Sequence, residues 1–270
     1  KAEMLEYDRR YVFHPWTRQN DVRRICVTGG AGSYFFDADG DRYLDFYSLW
    51  MHQTLGHQHP RILEAIRVQS ASINGVCPDF VSEPAARLGK RLAELTPGDL
   101  RKSMFTTGGT DAIETAVKMA RAYTGKWKIV TRYRSYHGNT LGAGSLSGDP
   151  RRLPLEPGIP GVVRALDHYC YRCPFGQPSY PDCNQRCIDH IAELIELEGP
   201  GQVAAVLAEP VVGSNGCLVP PPAYWPRLRE ICDRYGVLLI ADEVCTGFGR
   251  TGEWFACNNW GVTPDIMVLA

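Results

Sequence analysis

The segment Val237-Leu-Leu-Ile-Ala-Asp242-Glu243-Val244 runs straight into Cys245-Thr-Gly-Phe-Gly-Arg250-Thr-Gly252, and no other stretch limits the fold as tightly. Of the five residues before Asp242, four are bulky and apolar, and two carboxylates follow without a break. A short apolar run that ends at a glycine-rich loop reads as a strand of a parallel sheet covered on both faces. Its carboxyl end is where open α/β sheets place their ligands. An acid delivered there is costly unless a cationic group meets it.

Strand and helix signals alternate around this segment. Met104-Phe-Thr-Thr-Gly-Gly-Thr-Asp111 opens a helix over 112–123, followed by a strand around Lys128–Thr131 and another at Val203–Ala208. A helix over Pro222–Tyr235 then leads into the strand Val237–Ala241. This alternation predicts an α/β fold, a mainly parallel central sheet with flanking helices. Upstream, Pro60–Ala71 and Glu83–Leu95 carry apolar residues at three-and-four spacing and read as amphipathic helices. Tyr34-Phe-Phe and Tyr43-Leu-Asp-Phe46 flank Asp39-Gly40, a hairpin signal. Asp37, Asp39 and Asp41 mimic the start of a calcium loop, but that loop needs Gly at its sixth position and Glu at its twelfth. Arg42 and Ser48 stand there, so the hairpin is preferred. Residues 1–22 show no period and are expected to form an irregular arm. The expected division is residues 1–55, an N-terminal arm and hairpin belonging to a smaller α+β segment, and a large domain over 56–270. A Cys-, Pro- and Tyr-rich insertion at 169–187 interrupts the latter.

Charge is balanced, with 29 basic and 30 acidic residues, so there is no electrostatic case for nucleic acid or an anionic membrane as partner. The apolar runs fall far short of a membrane span. Lys1-Ala-Glu-Met-Leu-Glu-Tyr7 has neither an apolar signal core nor an initiator Met, so trimmed residues are expected, and the cytoplasm is the default compartment. Six of the ten cysteines are scattered singly and read as buried free thiols. The other four, Cys170-x2-Cys173-x9-Cys183-x3-Cys187, have metal-like spacing. A structural zinc or iron–sulfur centre is one reading. A tight loop with free thiols, or a disulfide formed outside the cell, is the other.

Three further places carry chemistry. Thr106-Thr-Gly108-Gly109-Thr110-Asp111 lies at a strand-to-helix turn, where free backbone N–H groups and a hydroxyl suit a phosphate. Asp111, with Glu114, favours the helix dipole. Tyr136-His137-Gly138 follows a predicted strand, and an aromatic ring there can serve as a platform for a heteroaromatic ring. Glu209, in Ala208-Glu209-Pro210, ends another apolar strand with a carboxylate. Taken singly, each has an ordinary reading: a turn and helix cap, a half-buried surface pair, a turn acid.

Their order along the chain is what removes the ordinary readings. A glycine turn before a helix, Tyr-His-Gly, a strand ending in Glu-Pro, a strand ending in Asp-Glu-Val, then Gly-Phe-Gly-Arg-Thr-Gly closely resembles the class III (ω-) aminotransferases. These are fold-type I enzymes dependent on pyridoxal 5′-phosphate (PLP). Val203-Ala-Ala-Val-Leu-Ala-Glu-Pro210 and Arg229-Glu-Ile-Cys-Asp-Arg-Tyr-Gly236 look most like the β-alanine/taurine–pyruvate branch. The resemblance implies that Gly108, Gly109 and Thr110 hold the cofactor phosphate and that Tyr136 stacks on its ring, with His137 beside it. It implies that Asp242 pairs with the ring nitrogen while Val244 packs on the opposite face. Glu209 would order the substrate side, and Trp16 and Trp50 would line the substrate pocket. The reaction implied moves an amino group from an ω-amine or amino acid to a 2-oxo acid by ping-pong chemistry, within a homodimer. Phe80, Tyr34 and the 169–187 insertion are candidates for that interface.

The family's Schiff-base lysine directly follows the segment that Asp265–Ala270 resembles, so it is expected just after Ala270, in a fragment inactive by itself. None of the six lysines present matches it. Two positions depart from the family. Many relatives show Ser-Gly-Ser-Glu where Gly108-Gly109-Thr110-Asp111 stands, and Gln where Cys245 stands. The second departure argues against 4-aminobutyrate as substrate. An amino-acid epimerase or aminomutase on the same scaffold, or a catalytically dead binding protein, are the competing expectations.

Overall fold

The computed structural model describes residues 1–270, which form two compact units, Lys1–Phe80 and Val81–Ala270.

The first unit opens with helix α1, Ala2–Tyr11. This corrects the expectation of an irregular arm. No residue of α1 is buried, so no apolar period exists to be read. It is tied along its own surface instead, by Arg9 on Glu6 and by the Tyr7 hydroxyl donating to Glu3, pairs that stabilise an exposed helix modestly. Strands β1 (Val27–Ala31), β2 (Tyr34–Asp37) and β3 (Arg42–Leu44) then form an antiparallel sheet in that order. Asp37 accepts the N–H groups of Asp39 (2.9 Å) and Asp41 (3.0 Å) on one oxygen and the Tyr43 hydroxyl (2.9 Å) on the other. The aspartates thus build the turn of a hairpin. Phe35 and Tyr43 stack across it. A left-handed turn, α2 (Ser48–Met51), and helix α3 (Pro60–Ser72) follow. The expected division after residue 55 falls inside this unit, because His57 exchanges backbone hydrogen bonds with Gly32 and its ring holds Asp45 at 2.8 Å.

The second unit carries the sheet. Helix α4 (Glu83–Leu95) starts at Ser82, whose hydroxyl accepts the Ala85 N–H. Helix α5 (Gly109–Thr124) ends at Gly125, held in the left-handed region at φ 67°. Then come β4 (Lys128–Arg132), α6 (Leu141–Leu146), β5 (Val162–Ala165), α7 (Arg186–Glu198) and β6 (Val203–Ala208). Helix α8 (Tyr224–Tyr235), β7 (Leu238–Asp242) and β8 (Ile266–Val268) complete it. All five strands are parallel, in the order β5-β4-β6-β7-β8.

Two cores flank this sheet, and neighbouring strand residues feed opposite ones, as the strand period of two requires. Val130, Val206, Ala208, Leu239 and Ala241 pack with α7 and α8, where Trp225 and Tyr224 are fully buried. Ile129, Ala205, Leu207 and Ile240 pack with α5 and α6. Every residue of β6 is buried. With both faces sealed, the carboxyl edge is where polar groups of these strands can emerge. The sequence reading placed β4, β6 and β7 within a residue or so. It did not anticipate α6, β5 or α7. Strand β5 is a short edge strand carrying Arg164, and α7 starts inside the Cys-rich insertion, although Ile188, Ile191 and Ile195 carry its spacing.

Candidate active site

The glycine turn, the Tyr-His-Gly loop and the two strand-end acids, far apart in sequence, converge at the carboxyl edge. At the start of α5 the N–H groups of Gly109, Thr110 and Asp111 have no acceptor in the structure, as a helix start leaves them. A Cβ on Gly108 would meet nothing within 4 Å, so the space before these donors is open. Asp111 turns back to accept the Thr107 N–H (3.3 Å) and hydroxyl (3.1 Å). Glu114 makes its hydrogen bonds to a neighbouring helix. Its carboxylate accepts the Thr140 hydroxyl and the Ala143 N–H, capping α6.

Close packing joins this turn to the other motifs. Gly138 has φ 140°, and a Cβ there would lie 2.4 Å from the Thr110 hydroxyl oxygen. A Cβ on Gly109 would lie 3.0 Å from both Val244 methyls and 3.5 Å from the Ala270 side chain. His137, buried, donates from Nδ1 to Asp242 Oδ2 at 2.7 Å, and the Val244 N–H donates to Asp242 Oδ1 at 3.1 Å. The His137 N–H is itself held by Ser147 Oγ (2.8 Å). The ring of Tyr136 is half-buried, with the Arg151 guanidinium 4.0 Å from its centroid. Asp149 fixes that guanidinium and also accepts from Asn215 (3.1 Å).

Glu209 accepts the Tyr136 N–H on one oxygen and the Gly213 N–H on the other, each at 3.1 Å. Burial, with the nearby Asp242 charge, pushes its carboxyl up to about 7, against the opposing pull of His137 and Arg132. Behind it lies a group that the sequence reading missed. Arg132, fully buried at the end of β4, donates to the Glu209 carbonyl (2.8 Å) and to His168 Nδ1 (2.9 Å). Burial and the Arg132 charge hold His168 down to about 3, so it stays a neutral acceptor at Nδ1 while Nε2 donates to Leu218 O. Glu243 was also unassigned. It is fully buried and accepts the Ala256 N–H (3.0 Å), the Cys257 N–H (2.8 Å) and the Thr246 hydroxyl, pinning the glycine loop from below. Only its place beside Asp242 hinted at this.

Two expectations fare differently. Trp16 and Trp50 lie in the first unit, exposed, each with left-handed backbone (φ 62° and 59°) that costs a non-glycine residue about 1–3 kcal/mol. The zinc or iron–sulfur expectation is corrected. Cys170, Cys173, Cys183 and Cys187 border one small cavity, yet no three or more His, Cys, Asp or Glu side chains form a metal-holding group. All ten cysteines are free thiols. Of the six single ones only Cys232 and Cys257 are buried, against the expectation for all six.

The converged residues fit PLP. Free N–H groups at a helix start suit its phosphate, and a buried carboxylate fixed by His137 suits a protonated ring nitrogen. In the protein without cofactor, Glu209 binds its proton more tightly folded than unfolded. Its contribution to stability is therefore full below about pH 4.5 and is lost as pH rises through about 7. Glu209→Gln should flatten that decline between about pH 4.5 and pH 7. Urea midpoints for both forms across this range check it, and parallel pH profiles would place the proton elsewhere.

Comparison with known proteins agrees with this geometry. The family model described as Aminotransferase class-III matches residues 16–270. The chain is 41% identical over 258 residues to a probable aminotransferase of Mycobacterium tuberculosis, covering 92% of this chain and 55% of the relative. It is 37% identical over 281 residues to a leucine/methionine racemase of Thermococcus litoralis, covering 100% of this chain and 61% of the relative. Among solved structures, the taurine:2-oxoglutarate aminotransferase of Bifidobacterium kashiwanohense, in complex with PLP and glutamate, superposes with a TM-score of 0.94 at 39% identity. That match covers 100% of this chain and 61% of the other. The chain thus spans little more than half the length of the relatives it matches, and over that span it belongs to the class III aminotransferase family.

Proposed function

We propose that the intact protein is a PLP-dependent aminotransferase that moves an amino group from an ω-amine or amino acid to a 2-oxo acid. The observation that carries this reading is the joining of three motifs: Asp242 held 2.7 Å from His137, in a loop whose Gly138 packs against Thr110 at the open start of α5. When bound, PLP supplies an electron sink for charge that develops next to the reacting nitrogen. The residues of this chain prepare that sink. The N–H groups of Gly109 and Thr110, with the Thr110 hydroxyl, hold the phosphate at the positive end of α5. Asp242 keeps the proton on the ring nitrogen by stabilising the cationic form. His137 aims the Asp242 carboxylate. Tyr136 and Val244 would cover the two faces of the ring. Glu209, tied to Tyr136 and Gly213, orders the substrate side and excludes water.

The reactive lysine is expected directly after Ala270, whose side chain lies 3.5 Å from where a Cβ on Gly109 would stand. Taurine or a similar ω-amino acid fits as donor, given the resemblance to taurine aminotransferases. A racemase or epimerase is the second reading, favoured by the 37% identity to the leucine/methionine racemase. Product analysis with and without a 2-oxo acid separates the two. The cytoplasm is the proposed compartment. No helix is long and apolar enough to cross a membrane.

In the intact protein, Asp242→Asn should lower kcat/KM at least about 100-fold, equivalent to about 2.7 kcal/mol, while the phosphate site still retains some PLP. Kinetics alongside cofactor titration check this, and near-normal turnover would mean the ring is wrongly placed. In the same titration Tyr136→Phe should hold PLP nearly as well as wild type. Tyr136→Ala should hold it several-fold more weakly, since stacking contributes about 0.5–1.5 kcal/mol beyond area burial. Equal affinities for all three forms would remove Tyr136 from the site. The protein is further proposed to work as a homodimer; light scattering that shows an active monomer would reject this.

A further inference from the structure

A cleft of about 360 Å³ at the carboxyl ends of β4 and β5 takes no part in the chemistry above. Arg134, Asp149, Asp167, Tyr169, Arg172 and Asn215 face it, and Leu166, Pro150 and Pro174 supply apolar wall. Neither of its two exposed arginines forms an ion pair. The Arg134 guanidinium lies 4.5 Å from the centroid of the Tyr169 ring, and the Arg172 guanidinium lies 5.6 Å from that of Tyr171. No ion pair ties either to a carboxylate.

The acids facing the cleft are already committed. Asp149 accepts the Arg151 N–H (2.9 Å), the Arg151 guanidinium and Asn215. Asp167 is buried and accepts the Arg134 backbone N–H at 3.1 Å, and burial pushes its carboxyl up, against the opposing pull of the Arg132 and Arg134 charges. The two guanidinium groups are therefore exposed and outside any ion pair, one of them preset on an aromatic face. Stacking covers a guanidinium's flat side and leaves its N–H edge free. That edge matches the paired oxygens of carboxylates and sulfonates. Asn215, steadied through one amide N–H, has the other available.

We propose that this cleft binds a small organic anion, a carboxylate or sulfonate, with Arg134 and Arg172 on its oxygens and the apolar wall against its hydrocarbon body. Asp149 belongs both to the cleft and to the cluster that holds Arg151 over Tyr136, so the site adjoins the ring platform without including it. The anion is either the acidic end of a reactant or an anion that does not react. Only the first of these rests on the aminotransferase reading.

The test is calorimetric titration of the full-length protein, saturated with PLP so that the phosphate turn is filled. Succinate and methanesulfonate serve as probes and succinamide as the uncharged control. The wild type should bind both anions and not succinamide, more weakly as NaCl rises from about 0.05 to about 0.5 M. Arg134→Ala with Arg172→Ala should weaken binding at least tenfold, and Arg134→Lys with Arg172→Lys by less, since charge survives and the fork does not. Equal affinity in wild type and the double alanine form, or binding of succinamide as tight as that of succinate, would overturn the proposal. A raised KM for carboxylate-bearing donors alone in the double alanine form would identify the anion as a reactant. An unchanged KM with lost binding would identify an unreactive one. Absence of a bound-cofactor absorption band would count against the functional reading and leave the anion titration standing.

Discussion

Asp242 and His137, 2.7 Å apart in space and 105 positions apart in sequence, make the contact on which the candidate site depends. Both are buried, so each would be costly alone, and their pairing commits the loop after β4 to the end of β7. That commitment fixes the rest. Gly138 is pressed on Thr110, which positions the open start of α5, and Tyr136 is brought to Glu209 at the end of β6. The sheet supplies the rigidity. With two apolar cores on its faces, the strand ends have little freedom, and sites built on such elements hold geometry better than sites on loops.

Behind these residues stands a second layer of buried polar groups whose charges do not cancel in simple pairs. Arg132 meets a carbonyl and a neutral imidazole, with no carboxylate in direct contact. Glu209 accepts two backbone N–H groups and no cation. Groups arranged this way respond to charge introduced nearby, because the low local dielectric strengthens each interaction. A cationic ring nitrogen near Asp242 would lower the cost of ionising Glu209. Glu243, one residue from Asp242, shows the contrast: its three donors and full burial make it a clamp for the glycine loop.

Much of this architecture was legible in the chain because it rests on local pattern. β6 is apolar throughout and β7 is apolar up to Asp242, since both faces are covered, and the acids at their ends mark the sheet's edge. The Asp39-Gly40 hairpin and α5 are equally visible from turn and periodicity signals. What escaped has identifiable causes. Helix α1 buries nothing and so leaves no apolar period. Strand β5 sits at an edge and includes an arginine. The metal-like spacing of the four cysteines left a metal centre and a loop of free thiols both open, because spacing in sequence does not set the directions of side chains. They reach one cavity but not one point.

Residue order alone therefore determined the parallel sheet, the two strand-end acids and the phosphate-like turn, because strand burial and glycine turns are short-range properties. Tertiary structure alone decided the partners. It paired His137 with Asp242, turned Glu114 onto α6, set Arg132 beneath Glu209 and left Arg134 and Arg172 facing an open cleft. The physical reason is that a side chain's charge state and hydrogen bonds depend on neighbours brought from distant positions. No local pattern encodes which of many buried or exposed polar groups those neighbours will be.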